Sequence, residues 1–195
     1  MGLSIHYEGY LNDATLLPEL IREVKDVAEI YGWEYHVFDQ EFPNGQFSDE
    51  TIFDDIYGIN FTPTNSETIS LTFLSNGRMV CPVIVKFSDN LELKKEHSWI
   101  YTNSVKTQYA GVVVHQLLIH FFRHLNDKYF RNFEMSDESY YWETNDEAKM
   151  KAQFENYDTL INNFVLATET FPLQKDEDIS NYFERLMKHI NKLKK

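Results

Sequence analysis

The stretch from 111 to 126, GVVVHQLLIHFFRHLN, constrains this chain more than any other. Val113, Val114, Leu117, Leu118, Phe121, Phe122 and Leu125 recur at three- and four-residue spacings, the period of a helix, and cover most of its circumference. A helix so apolar has to be enclosed, so the rest of the chain must supply layers around it. His115, Gln116, His120, Arg123 and His124 interrupt the run. It is too short and too polar to span a bilayer, where about 20 apolar residues are needed.

The residues before it alternate like strands. Leu3, Ile5 and Tyr7 alternate with Ser4, His6 and Glu8 until Gly9 and Asn12-Asp13, which are expected to break the strand. Leu17, Leu20, Ile21, Val24, Val27, Ala28 and Tyr31 form one stripe of a helix, with Pro18 tolerable in its first turn and Gly32 as its stop. Trp33, Tyr35 and Val37 resume the alternation. Residues 40–56 read as an acidic excursion with a turn at Asn44-Gly45. Ile59 and Phe61, then Ile69, Leu71 and Phe73, alternate with polar residues, and Asn76-Gly77 fits a type I′ turn that returns through Met79-Val80-Cys81. Val83 and Val85 would extend that strand or start another beyond Pro82, 88–97 reads as a polar loop, and Trp99, Tyr101 and Val105 suggest one more strand.

Beyond the apolar helix, 129–135 reads as a last strand. Thr144-Asn145-Asp146-Glu147 fits a capping box. It opens a helix carrying Met150, Phe154, Tyr157, Leu160, Ile161 and Phe164 that ends at Pro172, and a final helix starts near Ser180. This order predicts an α+β fold: a largely antiparallel sheet with helices packed on one face and a helical C-terminal third. One domain over 1–195 is expected, strand-rich over 1–105 and helix-rich over 106–195.

Charge narrows the function classes. The chain carries 18 basic and 31 acidic side chains, a net of −13. Five of the basic ones, Arg185, Lys188, Lys192, Lys194 and Lys195, lie in the last eleven residues, leaving 13 basic against 31 acidic, a net of −18, in residues 1–184. Such a surface repels phosphate backbones and favours a basic protein partner over nucleic acid. The lone Cys81 sits in an apolar run and reads as a buried small hydrophobe. MGLSIHYEGY lacks the basic start and apolar core of a signal peptide, and His6 stands where a myristoylation signal has Ser or Thr. No membrane association is expected, and the cytoplasm is the expected compartment.

Three groups of residues could carry chemistry. Asp137, Glu138, Tyr140, Tyr141, Trp142 and Glu143 place three consecutive aromatics among carboxylates, the residue types of an interface that selects a basic partner. His120 and His124, one helical turn apart, could share a metal, with a third ligand from Asp137, Glu138 or Glu143. Arg123 between them opposes a cation, and no zinc-protease glutamate follows His120. Strand parity would put His6, Glu8, Glu34 and His36 on one polar sheet face, which could host acid–base chemistry or simply face water. There is no phosphate loop, nucleophile elbow or cysteine zinc pattern, and no spacing singles out a Ser/His/Asp triad.

At SIHYEGYLND (4–13), YGWEY (31–35), VKTQYAG (105–111) and DESYYWETNDE (137–147) the chain resembles a family of small, uncharacterised bacterial proteins without an assigned activity. The resemblance covers most of the chain, implies a single bacterial domain, and brings no catalytic residue across. The function expected from the residues is therefore protein–protein binding of an inhibitor or immunity type. The alternatives are a metal-dependent hydrolase, the one reading that implies a divalent metal, and a small-ligand-binding protein.

Overall fold

A computed structural model describes residues 2–87, 98–174 and 177–193. The alternation at the N-terminus is β1, Ser4–Leu11, with Ile5, Tyr7 and Leu11 buried and Ser4, His6, Glu8 and Tyr10 half-buried on the outer face. The helical stripe is α1, Leu17–Tyr31. It buries Leu17, Leu20, Ile21, Val24 and Ala28, the larger of which contribute about 1.5–3 kcal/mol each. Gly32 ends it at a φ of 66°, the left-handed conformation that closes helices. β2 (Glu34–Val37), β3 (Tyr57–Thr62) and β4 (Ile69–Phe73) follow.

The antiparallel α+β expectation holds, but the single sheet is two. β2-β3-β4 pair as neighbours in sequence, whereas β1 lies between β5 (Asn103–Lys106) and β6 (Phe130–Asp137) in a separate antiparallel sheet. Residues 77–79 stitch the sheets together. Leu11 N donates to Gly77 O (2.8 Å) and Met79 N to Gly9 O (2.9 Å), so this segment continues along the β1 edge where β5 stops. Tyr7 adds a buried bond: its hydroxyl donates to Ser70 O and accepts from Ser70 N, both at 3.0 Å.

Several local expectations are corrected. Gly9 does not break β1: it sits in the strand where the β1–β6 register shifts between Glu8 and Tyr10. A Cβ there would come within 3.1 Å of the Phe133 backbone, so the bulge suits glycine. The 76–77 turn does return the chain, but through isolated bridges rather than a full strand. Pro82 then starts the short helix α2, Pro82–Phe87, in place of a strand at Val83 and Val85. Cys81, at that junction, is half-exposed rather than buried. Ser98–Tyr101 is a 3-10 turn, and the strand begins only at Asn103. The acidic excursion is anchored by buried Phe42 and Phe53, with Phe42 stacked on Tyr57 at 4.3 Å. The polar loop expected over 88–97 lies outside the described residues.

The apolar run is α3, Gly111–Tyr129. His115, Leu118, Ile119, Phe122, Leu125 and Tyr129 are buried, while Val114, Leu117 and Phe121 are half-buried against the same core. Val113 is 79% exposed, so the enclosure is not complete. Glu23 of α1 ties the two helices at their surface, accepting from His124, from Lys128 Nζ (3.0 Å) and from the Tyr129 hydroxyl (2.5 Å). A short helix α4 (Tyr141–Thr144), a long α5 (Glu147–Thr170) and α6 (Ile179–Leu193) complete the chain. The capping box is displaced: Asp146 caps α5 by accepting from Lys149 N (3.0 Å), while the Thr144 hydroxyl donates to the Tyr140 carbonyl (2.6 Å) and accepts from Asp146 N (3.3 Å). Among the described residues no helix is long and apolar enough to cross a membrane.

Candidate functional site

The acidic-aromatic segment turns out to be a knot. β6 ends at Asp137, which is buried, and its carboxylate gathers the chain that follows. Oδ1 accepts from Ser139 N (2.8 Å), and Oδ2 accepts from Ser139 Oγ (2.7 Å), Tyr141 N (2.9 Å) and Trp142 N (3.1 Å). The tightness of this turn forces Tyr140 to a φ of 64°. Tyr141 is buried, with its hydroxyl accepting from Gln116 Nε2 (2.9 Å) and meeting His120 Nε2 (3.2 Å). Arg123 locks the outside by donating to the carbonyls of Tyr141 (2.9 Å) and Trp142 (3.1 Å) and to Asn145 Oδ1 (2.7 Å). Of the six residues expected to form a binding patch, Asp137 and Tyr141 are therefore interior, and Trp142 is half-buried against the core. Glu138, Tyr140 and Glu143 remain exposed. Glu143 accepts from Asp137 N (3.0 Å), and Tyr140 lies under the Lys149 ammonium at 4.0 Å.

At the centre of the knot is His115, fully buried in α3. Its Nδ1 meets Thr107 Oγ1 at 2.7 Å, and its Nε2 meets Ser139 Oγ at 2.9 Å and Asp137 Oδ2 at 3.3 Å. A serine, a histidine and an aspartate thus converge where spacing singled out no triad. They do not form a relay, because a relay needs the acid and the hydroxyl on opposite ring nitrogens, whereas Ser139 and Asp137 share Nε2. The network assigns the ring proton to Nε2, donating to Asp137, with Nδ1 accepting from Thr107. Burial works against the charge on Asp137, yet the bonds from His115 and Ser139 prevail and hold its carboxyl below the usual range. The cluster pins the end of β5, the start of α3 and the end of β6 together.

The other histidines are divided among separate partners. His120 reaches Tyr141 and His124 reaches Glu23. Among the described residues no group of three or more His, Cys, Asp or Glu side chains is placed to hold a metal ion. The polar set His6, Glu8, Glu34 and His36 is also split: the first two are on β1 and the last two on β2, in different sheets. Burial alternates along β1 as expected, but Glu34, Tyr35 and His36 of β2 are all exposed, and β1 and β2 never pair.

The structure instead brings His6 and Glu8 to a groove of about 250 Å³ on the outer face of the β5-β1-β6 sheet, lined by His6, Tyr7, Glu8, Thr102, Glu134, Met135 and Ser136. The register sets Glu8 directly opposite Glu134 and His6 opposite Ser136. Glu8 accepts from Thr102 Oγ1 (3.1 Å), Glu138 accepts from Ser4 N (2.8 Å), and a Glu138 oxygen lies 4.0 Å from His6 Nε2. Among the described residues neither Glu8 nor Glu134 has an ion-pair partner. Like charges directly opposite in an antiparallel pair repel. The groove is therefore a small anionic trough with a histidine at one end, suited to a cationic side chain. Sequence reasoning missed Glu134, Ser136 and Thr102; the signal for Glu134 was strand parity over 129–135, and Ser136 lies one residue past that expected strand, within β6 as it forms.

No protein-family model matches the chain, and neither curated proteins nor solved structures give a match.

Proposed function

We propose that this protein works by binding a basic protein partner, as an inhibitor or immunity-type protein does, and that a Lys or Arg side chain of the partner enters the groove between Glu8 and Glu134. One observation carries the reading: two carboxylates face each other across β1 and β6 with no cation paired to either among the described residues. The surrounding charge supports it, since a net of −18 over residues 1–184 speeds encounter with a cationic surface. Glu138, just past the end of β6, lies 4.0 Å from His6 and adds a further carboxylate beside the groove. A metal-dependent hydrolase finds less support, because His120 and His124 are committed to different neighbours.

The test is a titration of the intact protein with an arginine-rich peptide, comparing Glu8→Gln/Glu134→Gln with Glu155→Gln/Asp158→Asn on α5. Both double variants remove the same net charge. The groove variant is expected to weaken binding at least about tenfold, the loss of one well-placed charge contact, and the α5 variant to leave it near wild type. Equal losses would mean that net charge alone acts, and would overturn the groove.

A further inference from the structure

We propose that α5 and α6 form the surface by which two copies of this chain associate, two helical hairpins closing into a four-helix bundle. The first turns of α5 are anchored by Met150 and Phe154, which belong to the main apolar core. Farther along, Ala167 of α5 and Leu186 of α6 are buried, yet neither belongs to that core or to the smaller one around Leu74 and Val80. They are buried in the seam of the hairpin. Arg185 reinforces it, donating to Glu177 (2.6 Å) and to the Pro172 carbonyl (3.0 Å), and Phe171 stacks on His189 at 4.5 Å.

That seam leaves part of the apolar stripe on α6 uncovered among the described residues. Ile179, Phe183 and Met187, at successive four-residue steps, stay 68%, 46% and 51% exposed. On α5, Leu160 and Phe164 are exposed as well. For antiparallel right-handed helices seamed along Ala167 and Leu186, Phe164 and Phe183 lie on the same side of the seam. The two stripes therefore make one face, and Phe183 and Met187 also line an open depression along α6 with Ser180, Glu184 and Lys188.

A second copy is the occupant that fits. The five side chains leave roughly 500 Å² of apolar surface uncovered, judged from their exposed fractions and the areas such side chains carry. A symmetric pair would cover about twice that, and the flanking polar atoms bring the total into the range of about 1,200–2,000 Å² typical of stable interfaces. Charge points the same way. The last eleven residues carry five basic side chains on a chain whose remainder is strongly acidic. A partner of either single sign meets one repulsive region, whereas another copy of the chain offers both signs.

The experiment is sedimentation equilibrium and light scattering of the full chain over a micromolar concentration series. Wild type is expected at twice the 23.2 kDa chain mass. Phe183→Glu and Ile179→Glu are each expected to raise the dimer dissociation constant by more than about tenfold, with unchanged far-UV circular dichroism. Ile179 is largely exposed in the first turn of α6, so its variant reports on association even if Phe183→Glu perturbs the hairpin. Val113→Glu, at a still more exposed apolar site on α3, is expected to leave the dimer intact. A wild type that stays monomeric throughout, a dimer that survives both α6 substitutions, or one lost equally in Val113→Glu would overturn the proposal.

Discussion

Replacing Asp137 by alanine should unfold more of this protein's stability than any surface charge could. Its carboxylate accepts from His115, Ser139 N, Ser139 Oγ, Tyr141 N and Trp142 N in a site without solvent exposure. On its removal Ser139 Oγ can turn to His115 Nε2, already 2.9 Å away, and Tyr141 N keeps a 3.3 Å contact with that same hydroxyl. Among the described residues Ser139 N and Trp142 N have no such second acceptor. Two orphaned donors at about 1–3 kcal/mol each, less the relief of no longer burying a charge, give a loss of about 1–5 kcal/mol. The upper end is a large share of the roughly 5–15 kcal/mol of a folded domain. Urea unfolding at neutral pH, followed by circular dichroism, measures it. Asp137→Asn keeps one acceptor oxygen and should lose less. The Asp137 carboxyl lies below its ordinary range when folded, so its stabilisation is complete above that range and disappears as pH falls through the folded value. The gap between wild type and Asp137→Asn should therefore close in acid. A loss below about 1 kcal/mol for both variants would refute the view that this carboxylate organises the segment.

Three further outcomes are expected. Gly58→Ala should cost about 3 kcal/mol or more, read by thermal unfolding, because Gly58 has a φ of 117° and an added Cβ would lie 2.2 Å from the Leu71 carbonyl. Glu23→Gln should cost less than about 1 kcal/mol at neutral pH, since the site is partly solvated. Burial opposes the Glu23 charge, but the bonds from Tyr129, Lys128 and His124 hold its carboxyl low, so the difference from wild type should fade as acid protonates it. Glu134→Gln should raise stability by a few tenths of a kcal/mol by relieving repulsion with Glu8, while weakening peptide binding; a variant that neither stabilises nor weakens would argue that the pair is not strained.

What could be read from the residues alone followed from local periodicity. Leu3, Ile5 and Tyr7, the α1 stripe from Leu17 to Ala28, and the apolar faces of α3 all emerged because side-chain direction repeats within an element. The division into two sheets did not, since β1 pairs with strands that begin about a hundred residues later and no local pattern names a partner. The same distance hid the knot. His115 stood in an apolar helix as an interruption, and a buried imidazole there demands hydrogen-bond partners, but Ser139 and Asp137 lie 24 and 22 residues away. The 137–143 segment looked like an interface because aromatics and acids were dense; its Asp-x-Ser spacing was also that of a side chain bonding the backbone two residues on. Glu138 and His6 belonged to different candidate groups and meet only through the β1–β6 register.

The most direct measurement is a low-salt pull-down from the native host, run in parallel with wild-type protein and Glu8→Gln/Glu134→Gln, with bound proteins quantified by mass spectrometry. The account predicts one stoichiometric basic protein on wild type, released by salt and strongly reduced on the double variant. A partner retained equally by both proteins, or no salt-sensitive basic partner at all, would contradict it.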